Sequence, residues 1–227
     1  MKKMDTVVFD LDGTLLNTLD DLSNSVNYAL RACGCRERSR DEVRRFLGNG
    51  VANLMRKAVP EEAGEACYAE ALAVFRRYYM SHCLELTAPY EGICPLLSLL
   101  SAKSYKLAIV SNKPQAAVTQ LNERFFRRYI HVAIGESEGI SRKPAPDTVN
   151  AALRQLGSSP RDAVYVGDSE VDIMTARNAG MPCISVTWGF RDRGFLEDCK
   201  AEYIADNPDE VASLLARLSA GQPARQP

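Results

Sequence analysis

Short apolar runs alternating with stretches of helical periodicity constrain this chain more than any other feature. The runs lie at 6–9, 106–110, 130–134, 163–166 and 183–186. Each is brief, mostly apolar and rich in strand-forming side chains, as strands buried on both faces are. Helical patterns fall at 92–101, 114–126, 146–156, 169–179 and 208–218. Pro114 suits a first helical turn, and Gly157 and Gly180 suit helix ends. Regular alternation predicts a parallel sheet with helices on both faces. In such a sheet the strands end on one shared edge, where open α/β folds bind their ligands.

The alternation is interrupted once. From about 18 to 83 the spacing is helical, with almost no strand signal. A first helix opens near Asp20 or Asp21, carries Leu22, Val26, Ala29 and Leu30 on one face, and ends at Gly34. A second spans 39–46, with Ser39 as N-cap and Glu42 at the capping-box position. After the loop 47–50, a third spans 51–59 and a long fourth spans 60–82. Four helices inserted after one strand read as a small separate bundle. The expected division is a helical domain over 17–86 and an α/β domain over 1–16 and 87–227, with hinges at 16–18 and 87–90. Residues 221–227 read as a frayed tail.

Composition excludes several function classes. Of the 227 residues, 46% are hydrophobic and 25% charged, which is ordinary for a globular protein. The 28 basic and 29 acidic residues leave a net charge of −1, which argues against nucleic-acid binding. No apolar run approaches the ~18 residues of a membrane span. Asp5 interrupts any leader-like apolar stretch after Lys2 and Lys3, so a cytoplasmic protein is expected. The seven cysteines are an odd count, and Cys33-Gly34-Cys35 has neither zinc nor redox spacing. Reduced, mostly buried thiols are expected. The two histidines, His82 and His131, stand outside any motif, so histidine-based catalysis is not expected.

Three predicted strands end in polar groups that a structural strand does not need: Asp10 and Asp12, Ser111 and Asn112, and Gly167 and Asp168. Asp-x-Asp-Gly is also ordinary turn chemistry, and acids near a helix start favour its dipole. Neither account explains why Asp172 recurs four residues after Asp168, on the same helical face. Asp10, Asp12, Asp168 and Asp172 would bring four negative charges to one crevice, and such a group needs cations. Oxygen donors without His or Cys suit Mg2+. Lys143, followed by Pro144 and Pro146, is a further candidate cation.

The ordered segments Asp-Leu-Asp-Gly-Thr-Leu (10–15), Val-Ser-Asn-Lys (110–113), Lys-Pro-Ala-Pro (143–146) and Gly-Asp-Ser-x-x-Asp-Ile (167–173) resemble the four signatures of the haloacid dehalogenase-like phosphohydrolases. The resemblance implies an α/β fold, a Rossmann-like parallel sheet, with the inserted helices as a cap domain. It implies that Asp10 is the nucleophile and forms an aspartyl-phosphate, while Asp12 protonates the leaving oxygen and then deprotonates water. Lys143 neutralises the phosphate and orients Asp10. Ser111 and Asn112, with Thr14 and Lys113, bind phosphate. Asp10, Asp12 (through its carbonyl), Asp168 and Asp172 hold Mg2+, Asp172 directly or through a water or Ser169. An acid at position 12 points to phosphate-ester chemistry rather than carbon–phosphorus cleavage or dehalogenation.

Substrate choice is expected from the inserted helices. Gly48, Asn49 and Gly50 at a helix start, with Arg56 beyond, read either as an ordinary interhelix loop or as an anion site closing over the crevice. Gly-Asn-Gly, Val-Ser-Asn-Lys-Pro (110–114) and Val-Thr-Trp-Gly-Phe (186–190) are similar to phosphoglycolate phosphatases. Asn17, where many relatives carry Asp, and Leu19 depart from the pattern. The expected function is Mg2+-dependent hydrolysis of a small phosphorylated metabolite, 2-phosphoglycolate first, by a monomer or homodimer. The alternatives are a β-phosphoglucomutase-like mutase, a pyrophosphatase, a nucleotidase, or a non-catalytic phosphate-binding regulator. Trp188 reads as packing or as a rim of the crevice.

Overall fold

The structure is a computed structural model and describes residues 4–220, so the tail expected at 221–227 lies outside the described residues. The chain forms two compact units, Asn17–Ala88 and the remainder. The two crossings between them are the short strands β2 (Leu16–Asn17) and β3 (Ala88–Pro89), which pair with each other.

The larger unit is a six-stranded parallel sheet. Its strands are β1 (Thr6–Phe9), β4 (Lys106–Pro114), β5 (Val132–Glu136), β6 (Ala163–Gly167), β7 (Cys183–Val186) and β8 (Tyr203–Ala205). The order is β5-β4-β1-β6-β7-β8. All four residues of β1 are buried, as a central strand requires. Val8 lies beside Ala108 on one side and Tyr165 on the other. After β1 the chain builds one half of the sheet through β4 and β5, then returns to build the other through β6, β7 and β8. Strand order therefore reverses at β1, and the crevice at such a reversal is where α/β sheets place a ligand.

The helices of this unit are α5 (Ile93–Ala102), α6 (Gln115–Phe125), α7 (Asp147–Leu156), α8 (Glu170–Ala179), α9 (Arg193–Asp198) and α10 (Pro208–Ser219). Val149, Ala152 and Leu153 of α7 and Ile173 and Ala176 of α8 pack with Val8, Ala108, Val110 and Tyr165 into one core layer. Helices α5 and α10 pack on each other and bury Leu97, Leu100, Val211 and Leu215. Gly157 and Gly180 end α7 and α8 in the left-handed conformation, as their positions imply.

Several local expectations differ from the structure. The strand expected at 130–134 runs over Val132–Glu136. The strand expected at 106–110 continues to Pro114 through an irregularity between Val110 and Pro114, and Pro114 caps α6 instead of sitting inside it. The short elements α9 and β8 carried no periodic signal. Of the seven free cysteines, only Cys83 and Cys183 are buried and the other five are partly exposed. No helix among the described residues is long and apolar enough to cross a membrane.

The smaller unit holds α1 (Leu19–Ala32), α2 (Arg40–Phe46), α3 (Gly50–Ala58) and α4 (Gly64–His82). The expected apolar face of α1 is buried at Leu22, Val26, Ala29 and Leu30 and packs on α4. Ser39 and Glu42 form the capping box at α2: Glu42 N–H donates to Ser39 Oγ, and Ser39 N–H donates to Glu42 Oε2. The helix expected over 60–82 is broken. A 3₁₀ turn at Glu61–Ala63 precedes α4, and Gly64 with φ 76° makes the join. Asp21, buried in α1, accepts from the backbone N–H groups of Leu86 and Thr87 at 2.9–3.1 Å.

Candidate active site

Three strand ends of the sheet unit bring the expected residues together. Beyond β1, Asp10 N–H donates to Val166 O at 2.8 Å, which continues the ladder and aims the carboxyl group over the edge of the sheet. The chain then turns sharply: Gly13 has φ 90°, its N–H donates to Leu16 O, and Leu15 N–H donates to Leu11 O. Glycine at 13 also leaves room, since a Cβ there would lie 2.4 Å from Asp168 Oδ2. The same holds at Gly189, where a Cβ would lie 2.4 Å from Asp168 Cβ and from Gly13 O. Two glycines thus admit one carboxylate into a tight seat.

Asp168 follows β6. Its Oδ1 accepts from Thr14 Oγ1 at 3.3 Å and its Oδ2 from Phe190 N–H at 2.6 Å. Trp188, on the loop after β7, donates from Nε1 to Thr14 O at 3.0 Å. Trp188 therefore ties that loop to the turn after β1. Thr14, expected at the phosphate, has its hydroxyl on Asp168.

Asp172 sits in the first turn of α8. Its Oδ2 accepts from the N–H groups of Asp168 and Ser169 and from Ser169 Oγ at 2.7–3.2 Å. Its Oδ1 accepts from Lys143 Nζ at 2.8 Å and Tyr165 OH at 2.9 Å. Both oxygens are thus engaged.

Lys143 reaches the centre from the loop before α7. Its side chain is 3% exposed, and Nζ donates to Asp10 Oδ1 at 2.6 Å, Asp172 Oδ1 at 2.8 Å and Tyr165 OH at 3.0 Å. Asn112 sets its backbone: Lys143 N–H donates to Asn112 Oδ1 at 2.8 Å, and Asn112 Nδ2 donates to Lys143 O at 3.0 Å. Asn112, expected at the phosphate, therefore holds the lysine loop with both ends of its amide. Ser111 Oγ accepts from Lys113 N–H at 3.2 Å, and Lys113 Nζ donates to Asp12 Oδ1 at 2.6 Å.

Burial and crowding set the electrostatics. Burial raises the Asp10 pKa well above the carboxylate range, aided by Asp172, Asp168 and Asp12 and only partly opposed by Lys143. Burial and Asp172 push Asp168 up to about 7. Burial also works against Asp172, but the Lys143 ammonium and hydrogen bonds from Lys143, Ser169 and Tyr165 hold it below the usual value. Burial disfavours charge on Lys143 as well, and Asp10 and Asp172 outweigh it, so its pKa is raised. Carboxylate oxygens of Asp10, Asp168 and Asp172 lie within 4.8 Å of one another, a hard, all-oxygen donor set that fits a small divalent cation.

The remaining sequence candidates lie in the helical unit. Gly48 and Gly50 have φ values of 117° and 76°, and Asn49 caps α3 without a side-chain cap bond. The structure gives Arg56 a bidentate pair with Glu65 at 2.5 and 2.9 Å, stacked over Tyr68. Sequence reasoning missed Tyr165, which bridges Lys143 and Asp172. Its signal was one polar-tipped ring in an otherwise apolar run, which reads as core. It also missed the backbone N–H of Phe190, since a main-chain donor leaves no trace in residue type.

The profile of the haloacid dehalogenase-like hydrolase family matches residues 7–186. A Pseudomonas aeruginosa protein named phosphoglycolate phosphatase 1 is 34% identical over 81% of this chain and 70% of its own length. A Bacillus mycoides protein named pyrophosphatase PpaX is 28% identical over 96% of this chain and 99% of its own. Among solved structures, a candidate phosphoglycolate phosphatase from Lactobacillus delbrueckii subsp. bulgaricus superposes with a TM-score of 0.89. It is 36% identical over 94% of this chain and 98% of that one.

Proposed function

Since the chain belongs to the haloacid dehalogenase-like hydrolases and is a phosphatase of that family, we propose that it hydrolyses a small phosphorylated metabolite, 2-phosphoglycolate, with Mg2+ as cofactor. The observation that carries the reading is the Asp10 carboxyl group seated 2.6 Å from Lys143 Nζ, with Asp168 and Asp172 on the same edge.

Asp10 Oδ2 attacks phosphorus and forms an aspartyl-phosphate, while Asp12 gives a proton to the leaving alkoxide. Asp12 then takes a proton from the water that cleaves the acyl phosphate, help worth roughly 10²–10⁴-fold in such steps. Lys143 keeps Asp10 aligned and offsets the charge of the incoming phosphate. Asp172 fixes Lys143 and the N-terminus of α8. Asp10, Asp168 and the carbonyl of Asp12 would hold Mg2+, with Asp172 beside them. When bound, the ion would supply positive charge that neutralises the phosphate. The named relatives and the family support this reading; the acid at position 12 supports ester hydrolysis.

A second reading is favoured by the full-length similarity to proteins named pyrophosphatase PpaX: the substrate would be inorganic diphosphate. Steady-state phosphate release separates the two, using phosphoglycolate, diphosphate, β-glucose 1-phosphate and nucleoside monophosphates, each with Mg2+ and with EDTA. Phosphoglycolate is expected to dominate, and EDTA to abolish turnover. Preferential release from diphosphate would replace the substrate assignment. Asp10→Asn is expected to fold and lose turnover, and retained phosphate release in that variant would exclude the covalent path.

A further inference from the structure

Each aspartate of the Asp10-x-Asp12 pair has its own lysine. Lys143 serves Asp10 and Asp172. Lys113 Nζ donates to Asp12 Oδ1 at 2.6 Å, with the lysine side chain 2% exposed and that of Asp12 20% exposed. The fold around β4 is shaped for this second pair. The strand loses its regular pairing with β5 between Val110 and Pro114. Within that stretch Ser111 Oγ takes the Lys113 N–H. Gly135 of β5 makes the close approach possible, because a Cβ there would lie 2.7 Å from Lys113 O. Gln115 closes the far side: its Oε1 accepts from Gly135 N–H at 2.7 Å and its Nε2 donates to Ala133 O at 3.1 Å. A buried lysine that only filled space would leave its desolvation cost uncompensated.

We propose that Lys113 is the positioning residue of Asp12: it pins the carboxyl group that exchanges a proton with the leaving group and then with water. The inference rests on the phosphatase reading above. It assigns Lys113 a role on the acid–base residue instead of on the phosphate. An unpinned Asp12 would rotate among its side-chain rotamers, and proton delivery to the leaving oxygen would suffer first. Loss of delivery matters for an alkoxide, a poor leaving group, and little for 4-nitrophenolate, which departs without a proton.

The test compares Lys113→Met and wild type, both with Mg2+, on phosphoglycolate, a simple alkyl phosphate and 4-nitrophenyl phosphate. The expected result is a kcat/KM, which reports phosphoryl transfer to Asp10 and not the later hydrolysis common to all esters, about 100-fold lower on the alkyl esters and less than about fivefold lower on the aryl ester, in the range acid–base help supplies. Calorimetric affinity for inorganic phosphate is expected to stay within about twofold, as when an interaction acts only in the transition state. Lys113→Arg, which keeps the charge, guards against a folding defect and should show the same ordering at smaller size. Equal losses of kcat/KM on both ester types overturn the proposal in favour of a structural role. A raised KM and weakened phosphate binding with kcat retained overturn it in favour of a phosphate-binding lysine. If wild type hydrolyses neither ester type, the phosphatase reading itself falls before any variant is compared.

Discussion

Tyr165 shows how one atom can serve a site from inside the core. Its ring packs in the layer with Val8 and Ile173, and its hydroxyl reaches Lys143 Nζ and Asp172 Oδ1. Tyr165→Phe keeps the packing and removes one oxygen, while both partners retain other bonds. The expected cost is about 1 kcal/mol of stability, the net worth of a hydrogen bond, read as a shift in urea midpoint. Turnover is expected to fall only several-fold. Lys143→Met differs in kind, because it strands Asp10 and Asp172 as buried carboxyls. Breaking such a pair costs about 3–5 kcal/mol, and loss of both folding yield and turnover is expected. Gly189→Ala places a methyl group where Asp168 Cβ and Gly13 O already lie. Overpacking of that kind costs about 1–3 kcal/mol, so a lower Tm is expected, with impaired metal binding measured by calorimetry.

At the scale of elements, β4 and α8 carry more of the site than any isolated side chain. The irregular end of β4 turns Asn112 to the lysine loop and Lys113 to Asp12. The first turn of α8 uses Asp172 as both cap and charge partner. The capping box at α2 is simpler: Ser39→Ala removes one side of it, with an expected loss of about 1 kcal/mol. Because Ser39 belongs to Asn17–Ala88, chemical-shift or exchange changes are expected in that unit, with little change in the rates of the sheet unit's amides.

At the scale of the molecule, the crowded carboxyls tie stability to pH and to metal. Asp168 is raised in the folded protein to about 7, against about 3.9 for a free aspartate. Between those values the folded state holds a proton that the unfolded chain has released. This group's contribution to stability is therefore complete below pH ~4 and is lost as pH rises to ~7. Asp172 acts oppositely, since its folded pKa is lowered. Its contribution is present above its unfolded value and lost on acidification. A divalent cation seated among these carboxyl groups would relieve the first penalty and compete with the Asp168 proton. The gap in Tm between Mg2+-loaded and metal-free protein is expected to widen from pH 5 to pH 8 in thermal unfolding. An unchanging gap would separate Asp168 from metal binding.

The sequence by itself determined the class of fold and the residues at its strand ends. Periodicity and turn glycines are local, so the buried runs, the inserted helices, the Ser39 capping box and the closing glycines of α7 and α8 were legible. The break at Gly64, the extension of β4 to Pro114 and the short strand β8 were not, because each depends on neighbours far along the chain. Residue type also nominated Asp10, Asp12, Lys143, Asp168 and Asp172. Only the tertiary structure decided which cation serves which carboxylate: Lys143 joins Asp10 to Asp172 across sequence separations of 133 and 29. It likewise gave Thr14 to Asp168 and Asn112 to the lysine backbone. Hydrogen bonds act over about 3 Å, and which atoms come that close depends on how distant segments pack, which no local pattern in the chain encodes.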